Sequence, residues 1–138
     1  MRTADRRRRG DRGSMAVEIV LLAPVMMAFI VLVVAGGRYV AVRGDIEAVS
    51  RDAVRAASLE RTAAAAESVA DDVAAASLQN PDRCQPVLMS GEFVAGGTIT
   101  VTITCDVSYA GLGLIGLPGS KRLSASSSAP LDKYRRTG

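Results

Sequence analysis

Gly13-Ser14-Met15-Ala16-Val17-Glu18, with Arg6-Arg7-Arg8-Arg9 upstream and an uncharged run from Ile19 to Gly37 downstream, decides how the rest of the chain is read. The 19 residues of that run rise about 28 Å as a helix, the thickness of the hydrocarbon core of a bilayer. A carboxylate at the edge of such a segment is costly unless something pairs with it, which makes Glu18 the first functional candidate. Arg2, Arg6, Arg7, Arg8, Arg9 and Arg12 precede the run, whereas Arg38, Arg43, Arg51 and Arg55 are spread over the twenty residues after it. The denser cluster predicts a cytoplasmic N-terminus and an extracytoplasmic C-terminal region.

The same arginines account for the net charge of +3. Residues 1–13 hold six of the 17 basic and two of the 14 acidic groups, so the remainder has 11 and 12, formally −1. Basicity confined to a leader reads as a topology signal. No aromatic residues interleave with the arginines, so no nucleic-acid partner is expected.

The leader resembles that of type IV prepilin-like proteins, in which a dedicated peptidase cuts after a glycine and glutamate is the fifth mature residue. Here that implies a processing site between Gly13 and Ser14, with Glu18 fifth. The longer string Arg12-Gly13-Ser14-Met15-Ala16-Val17-Glu18, with Pro24 in the following run, resembles the TadE-like minor pseudopilins of tight-adherence (Flp, type IVb) pilus systems. The resemblance is strongest over about Arg12 to Arg43. It implies pilus assembly, with a prepilin peptidase, other pilin or pseudopilin subunits, the assembly platform and the membrane as partners. It also implies that Glu18 registers subunits by pairing with another subunit's Ser14 amine, and that Pro24 marks where the helix loosens. Read from the residues alone, Pro24 predicts a local kink near Val20 to Pro24.

The expected fold class is α+β and pilin-like. A basic leader (1–13) precedes a transmembrane helix (14–37), extended by an alanine-rich amphipathic helix (38–79). Ile46, Val49, Ala53 and Ala56, then Val69, Val73 and Ala76, form its apolar stripe, and Glu47 is spaced to pair with Arg51. Gly36, Gly37 and Gly44 are points where the two helical segments could separate; unbroken, Ser14 to Gln79 would reach about 100 Å. Asn80-Pro81-Asp82 has turn chemistry and stops the helix.

Residues 84–130 then change period. Ile99, Val101, Ile103, Cys105, Val107 and Tyr109 alternate with Thr100, Thr102, Thr104, Asp106 and Ser108, the two-residue repeat of a half-buried strand. Pro86 to Val94 is its expected partner across an Ala95-Gly96-Gly97 turn, Gly111 to Gly119 a glycine-rich loop, Arg122 to Ala129 a serine-rich edge strand, and 131–138 a polar tail. A hairpin centred between Val94 and Ala95 sets Cys84 opposite Cys105, and outside the cytoplasm that pair is expected to form a disulfide.

No histidine is present, so triads, histidine bases and most zinc sites are excluded. Asp71 and Asp72 are adjacent and diverge by about 100° on a helix, which is no acid/base pair. No enzyme, cofactor or metal is expected. Two other readings use the same residues. One is an uncleaved single-pass envelope protein with an extracytoplasmic binding domain; the other is a secreted domain cut near Val33-Val34-Ala35, for which the apolar run is long.

Overall fold

The computed structural model describes residues 11–110, 116 and 118–134. Most of the arginine-rich leader, most of the glycine-rich loop and the end of the tail lie outside these residues. The order is α1 (Asp11–Leu59), α2 (Ala63–Ser77), a single 3-10 turn (Pro81–Arg83), β1 (Leu88–Gly91), β2 (Thr98–Ser108) and β3 (Ser120–Pro130). The strands form one antiparallel sheet in the order β1-β2-β3. The chain is α+β, as expected.

α1 runs 49 residues, about 73 Å, through Pro24, Gly36, Gly37 and Gly44 without interruption. The glycines therefore do not divide it. The division falls further on, at Glu60-Arg61-Thr62, inside the segment expected to be one helix from 38 to 79. Thr62 caps the new helix, its hydroxyl accepting a hydrogen bond from the Ala65 amide at 3.2 Å. After this reversal α2 folds back along α1, so that Leu78 and Asn80 share a cleft with Val42 and Ile46.

Ile46, Val49, Ala53, Val54 and Ala57 of α1 meet Ala66, Ala70 and Ala74 of α2 in the core. The buried face of α2 is thus one residue away from the expected Val69, Val73 and Ala76 stripe. Val69 and Val73 are half-buried and Ala76 is exposed. Alanine at the contact lets two helices approach closely, and the larger valines fit only at its margin.

The sheet covers this hairpin with Ile99, Val101, Ile103 and Cys105 of β2 and Leu123 and Ala125 of β3. On its other face Thr100 pairs with Ser128 and Thr102 with Ser126 through hydroxyl hydrogen bonds of 2.8 Å each. Ser127, on the helix side, meets the fully buried Ser50 hydroxyl at 2.7 Å, and Ser50 donates to the Glu47 carbonyl. The buried hydroxyl is therefore satisfied.

The Cys84–Cys105 disulfide is present, although the strand register differs from the one that placed it. Leu88 faces Thr102 and Gly91 faces Ile99, one residue off a hairpin centred between Val94 and Ala95. From Cys84 to Leu88 is four steps, whereas the partner covers Cys105 to Thr102 in three. The extra residue restores the cysteine pairing, since a one-residue slip would have turned one sulfur to the opposite face. Gln85 still donates to the Thr104 carbonyl at 2.8 Å, and the diverted Val87 amide donates to the Asp71 carboxylate on α2 at 2.8 Å. At the other end, Gly91 (φ 104°) is required: a Cβ there would stand 2.2 Å from the Thr98 carbonyl oxygen.

Candidate assembly surface

Large apolar side chains normally disappear into a core, yet from Val17 to Val34 every valine, leucine, isoleucine, methionine and phenylalanine of α1 is 48–70% exposed. These residues occupy all sides of the helix, so the surface is a cylinder rather than a stripe. A helix apolar all round needs an apolar environment all round. By length and composition α1 is suited to cross a membrane, and it is the single such helix among the described residues.

Gly13 and Ser14 lie in the first turns of α1, and Glu18 follows one turn later as an exposed carboxylate at the start of the apolar cylinder. Pro24 lies inside the helix, six residues beyond Glu18. The predicted processing and registration residues therefore share one helix end. Cys84 and Cys105 lie elsewhere, against the folded core.

Beyond the C-terminal end of the run, Arg43 donates to Glu47 at 3.0 Å, one turn along α1. The expected partner of Glu47 was Arg51; the structure uses the preceding turn. The hydrogen bond and the charge of Glu47 raise the Arg43 pKa above its ordinary value, so that the guanidinium stays charged. A cleft of about 320 Å³ opens beside this turn, lined by Val42, Asp45, Ile46, Arg83, Asp106 and the disulfide among others. Among the described residues, no three His, Cys, Asp or Glu side chains converge as metal ligands. Asp71, discounted as half of a catalytic pair, instead ties α2 to the strand through Val87. Its signal was invisible in sequence because the contact depends on the extra residue before β1.

Residues 13–55 match the family model described as TadE-like protein. Over this stretch the chain is TadE-like. The match begins at Gly13 and ends at Arg55 within α1, so α2 and the sheet lie beyond it. TadE-like proteins belong to tight-adherence pilus systems, so this segment supports a pilus-associated protein, and a single N-terminal apolar helix fits a single-pass membrane protein of such a system. No curated protein and no solved structure matches the chain.

Proposed function

We propose that the chain is a minor pseudopilin of a tight-adherence (Flp) pilus, made as a precursor, cut after Gly13 by a prepilin peptidase and assembled through α1. The observation that carries this reading is the TadE-like match starting at Gly13 and running along a helix whose large apolar side chains from Val17 to Val34 are exposed. Lipid satisfies that surface before assembly, and neighbouring subunit helices satisfy it afterwards. The leader remains cytoplasmic and residues 38–138 extracytoplasmic, in keeping with the arginines ahead of the run.

Cleavage would make Ser14 the N-terminal residue, four residues and about 6 Å along the helix from Glu18. Within one chain the helix holds these groups a turn apart; between staggered chains, the Glu18 carboxylate meets the Ser14 amine of the next subunit. Such a pair offsets the penalty of keeping either charge at the bilayer edge. Pro24, lacking an amide hydrogen, is the point where α1 would loosen on assembly.

The first test is the N-terminal sequence and intact mass of membrane-extracted protein from cells with and without the prepilin peptidase. A peptidase-dependent start at Ser14 supports the proposal. An intact leader makes the chain an uncleaved envelope anchor, and a start near Gly36 makes it a secreted domain. In cleaved protein, Glu18→Ala should insert normally and fail to assemble; normal assembly of that variant would remove the pairing role.

A further inference from the structure

The end of the sheet nearest the apolar run has a defined height relative to a bilayer. The Lys121 ammonium of β3 lies 5.3 Å from the centre of the Tyr39 ring on α1, and further along the same two elements Ser127 meets Ser50. β3 and α1 therefore ascend side by side. Tyr39 is two residues past Gly37, about 3 Å along the helix, and the run ending at Gly37 matches the hydrocarbon core in length. The headgroup layer beyond that core is roughly 5–7 Å deep on each side. Tyr39 and the ammonium above it fall within that layer.

Other groups at this level fit the same environment. Tyr109 closes the end of the β2–β3 ladder, its amide donating to the Gly119 carbonyl at 3.1 Å and its ring lying against Gly119. Two tyrosines, amphipathic and suited to the membrane–water boundary, thus flank Lys121. Arg38 is exposed one residue from Tyr39. Two ion pairs lie nearby, Arg43 with Glu47 at 3.0 Å and Arg122 with Asp106 at 3.3 Å. Asp45 stands six residues beyond Tyr39, about 9 Å further from the run.

We infer that the base of the sheet is a membrane-contact surface, in which Lys121, beside Tyr39 and Tyr109, binds the headgroups of anionic phospholipid in the leaflet from which α1 emerges. The consequence is orientational. A single spanning helix can tilt and rotate in the bilayer and carries the sheet packed on it, whereas a second contact on β3 restricts both motions. Each cation near an anionic surface strengthens such a contact roughly fivefold. This inference rests on α1 spanning a bilayer and is independent of cleavage at Gly13.

The chain contains no tryptophan, so single substitutions make clean reporters. Full-length chain would be placed in bilayer nanodiscs of zwitterionic lipid, with or without about a third of phosphatidylglycerol, using lipids brominated near the glycerol end of the acyl chains as quenchers. Phe29→Trp tests the spanning helix, Tyr109→Trp the base of the sheet, and Tyr134→Trp the far end, where Lys133 lies by the Gly96 turn. Quenching of Tyr109→Trp several-fold above that of Tyr134→Trp, enhanced by phosphatidylglycerol, is expected. Adding Lys121→Glu should abolish the enhancement and Lys121→Arg should keep it. Equal quenching of Tyr109→Trp and Tyr134→Trp, or an enhancement indifferent to Lys121→Glu, would overturn the inference. Failure of lipids brominated near the methyl end of the acyl chains, the depth at which the middle of the run lies, to quench Phe29→Trp would instead overturn the spanning helix on which it rests.

Discussion

The two halves of α1 share one backbone and treat their apolar side chains in opposite ways. From Val17 to Val34 the helix is packed with large apolar residues, and they are exposed; from Ile46 to Ala57 it is weakly apolar and alanine-rich, and that half forms the core. The length of an apolar run in this chain therefore marks the medium a segment faces, whereas alanine marks where α1 and α2 approach closely. Burial against lipid needs area and little shape, but burial against α2 and the sheet needs close approach and complementary volume.

That contrast can be broken most sharply at the sheet. Ile103 is fully buried, and Ile103→Ala should destabilise the folded region by about 4 kcal/mol. Thermal unfolding of the reconstituted chain followed by circular dichroism would show it, and a negligible loss would mean that the sheet does not form the core with the helices. Replacing both cysteines by serine opens a loop spanning 21 residues. About 3 kcal/mol should be lost, with the same loss on adding reductant to the native chain. Asp71→Ala leaves the Val87 amide without its acceptor, and about 1 kcal/mol is expected from that partly solvated bond. Hydrogen exchange should quicken at Val87 while β2 stays protected.

Val31→Ala gives the smallest effect and the sharpest comparison. It removes as much apolar volume as many core substitutions, yet the folded region should change by less than about 0.5 kcal/mol because Val31 touches solvent or lipid rather than the core. A large loss there would show that the apolar cylinder supports the fold directly.

Much of this was legible along the chain. The strict alternation from Ile99 to Val107 announced β2, and its odd-numbered residues do face the helices. The cysteine pairing was legible for a reason that was only partly right: the hairpin centre put Cys84 opposite Cys105, while the actual strand register is offset by one and an inserted residue makes up the difference. Val69 and Val73 misled because hydropathy favours the larger side chain, whereas the contact selected Ala66, Ala70 and Ala74. The break at Thr62 carried a capping residue, yet the surrounding alanines read as uninterrupted helix.

What the sequence by itself determined is whatever depends on runs and periods: the apolar cylinder, the TadE-like segment around Gly13 and Glu18, the alternating strand, and two cysteines in reach of one another. These follow from one-dimensional patterns because bilayer thickness and strand pleat are fixed lengths. The tertiary structure decided the reversal of α2 onto α1, the alanine face it buries, the role of Asp71, and the height of Lys121 above the run through its contact with Tyr39. Each depends on residues far apart in the chain meeting at a particular distance, which no local period encodes.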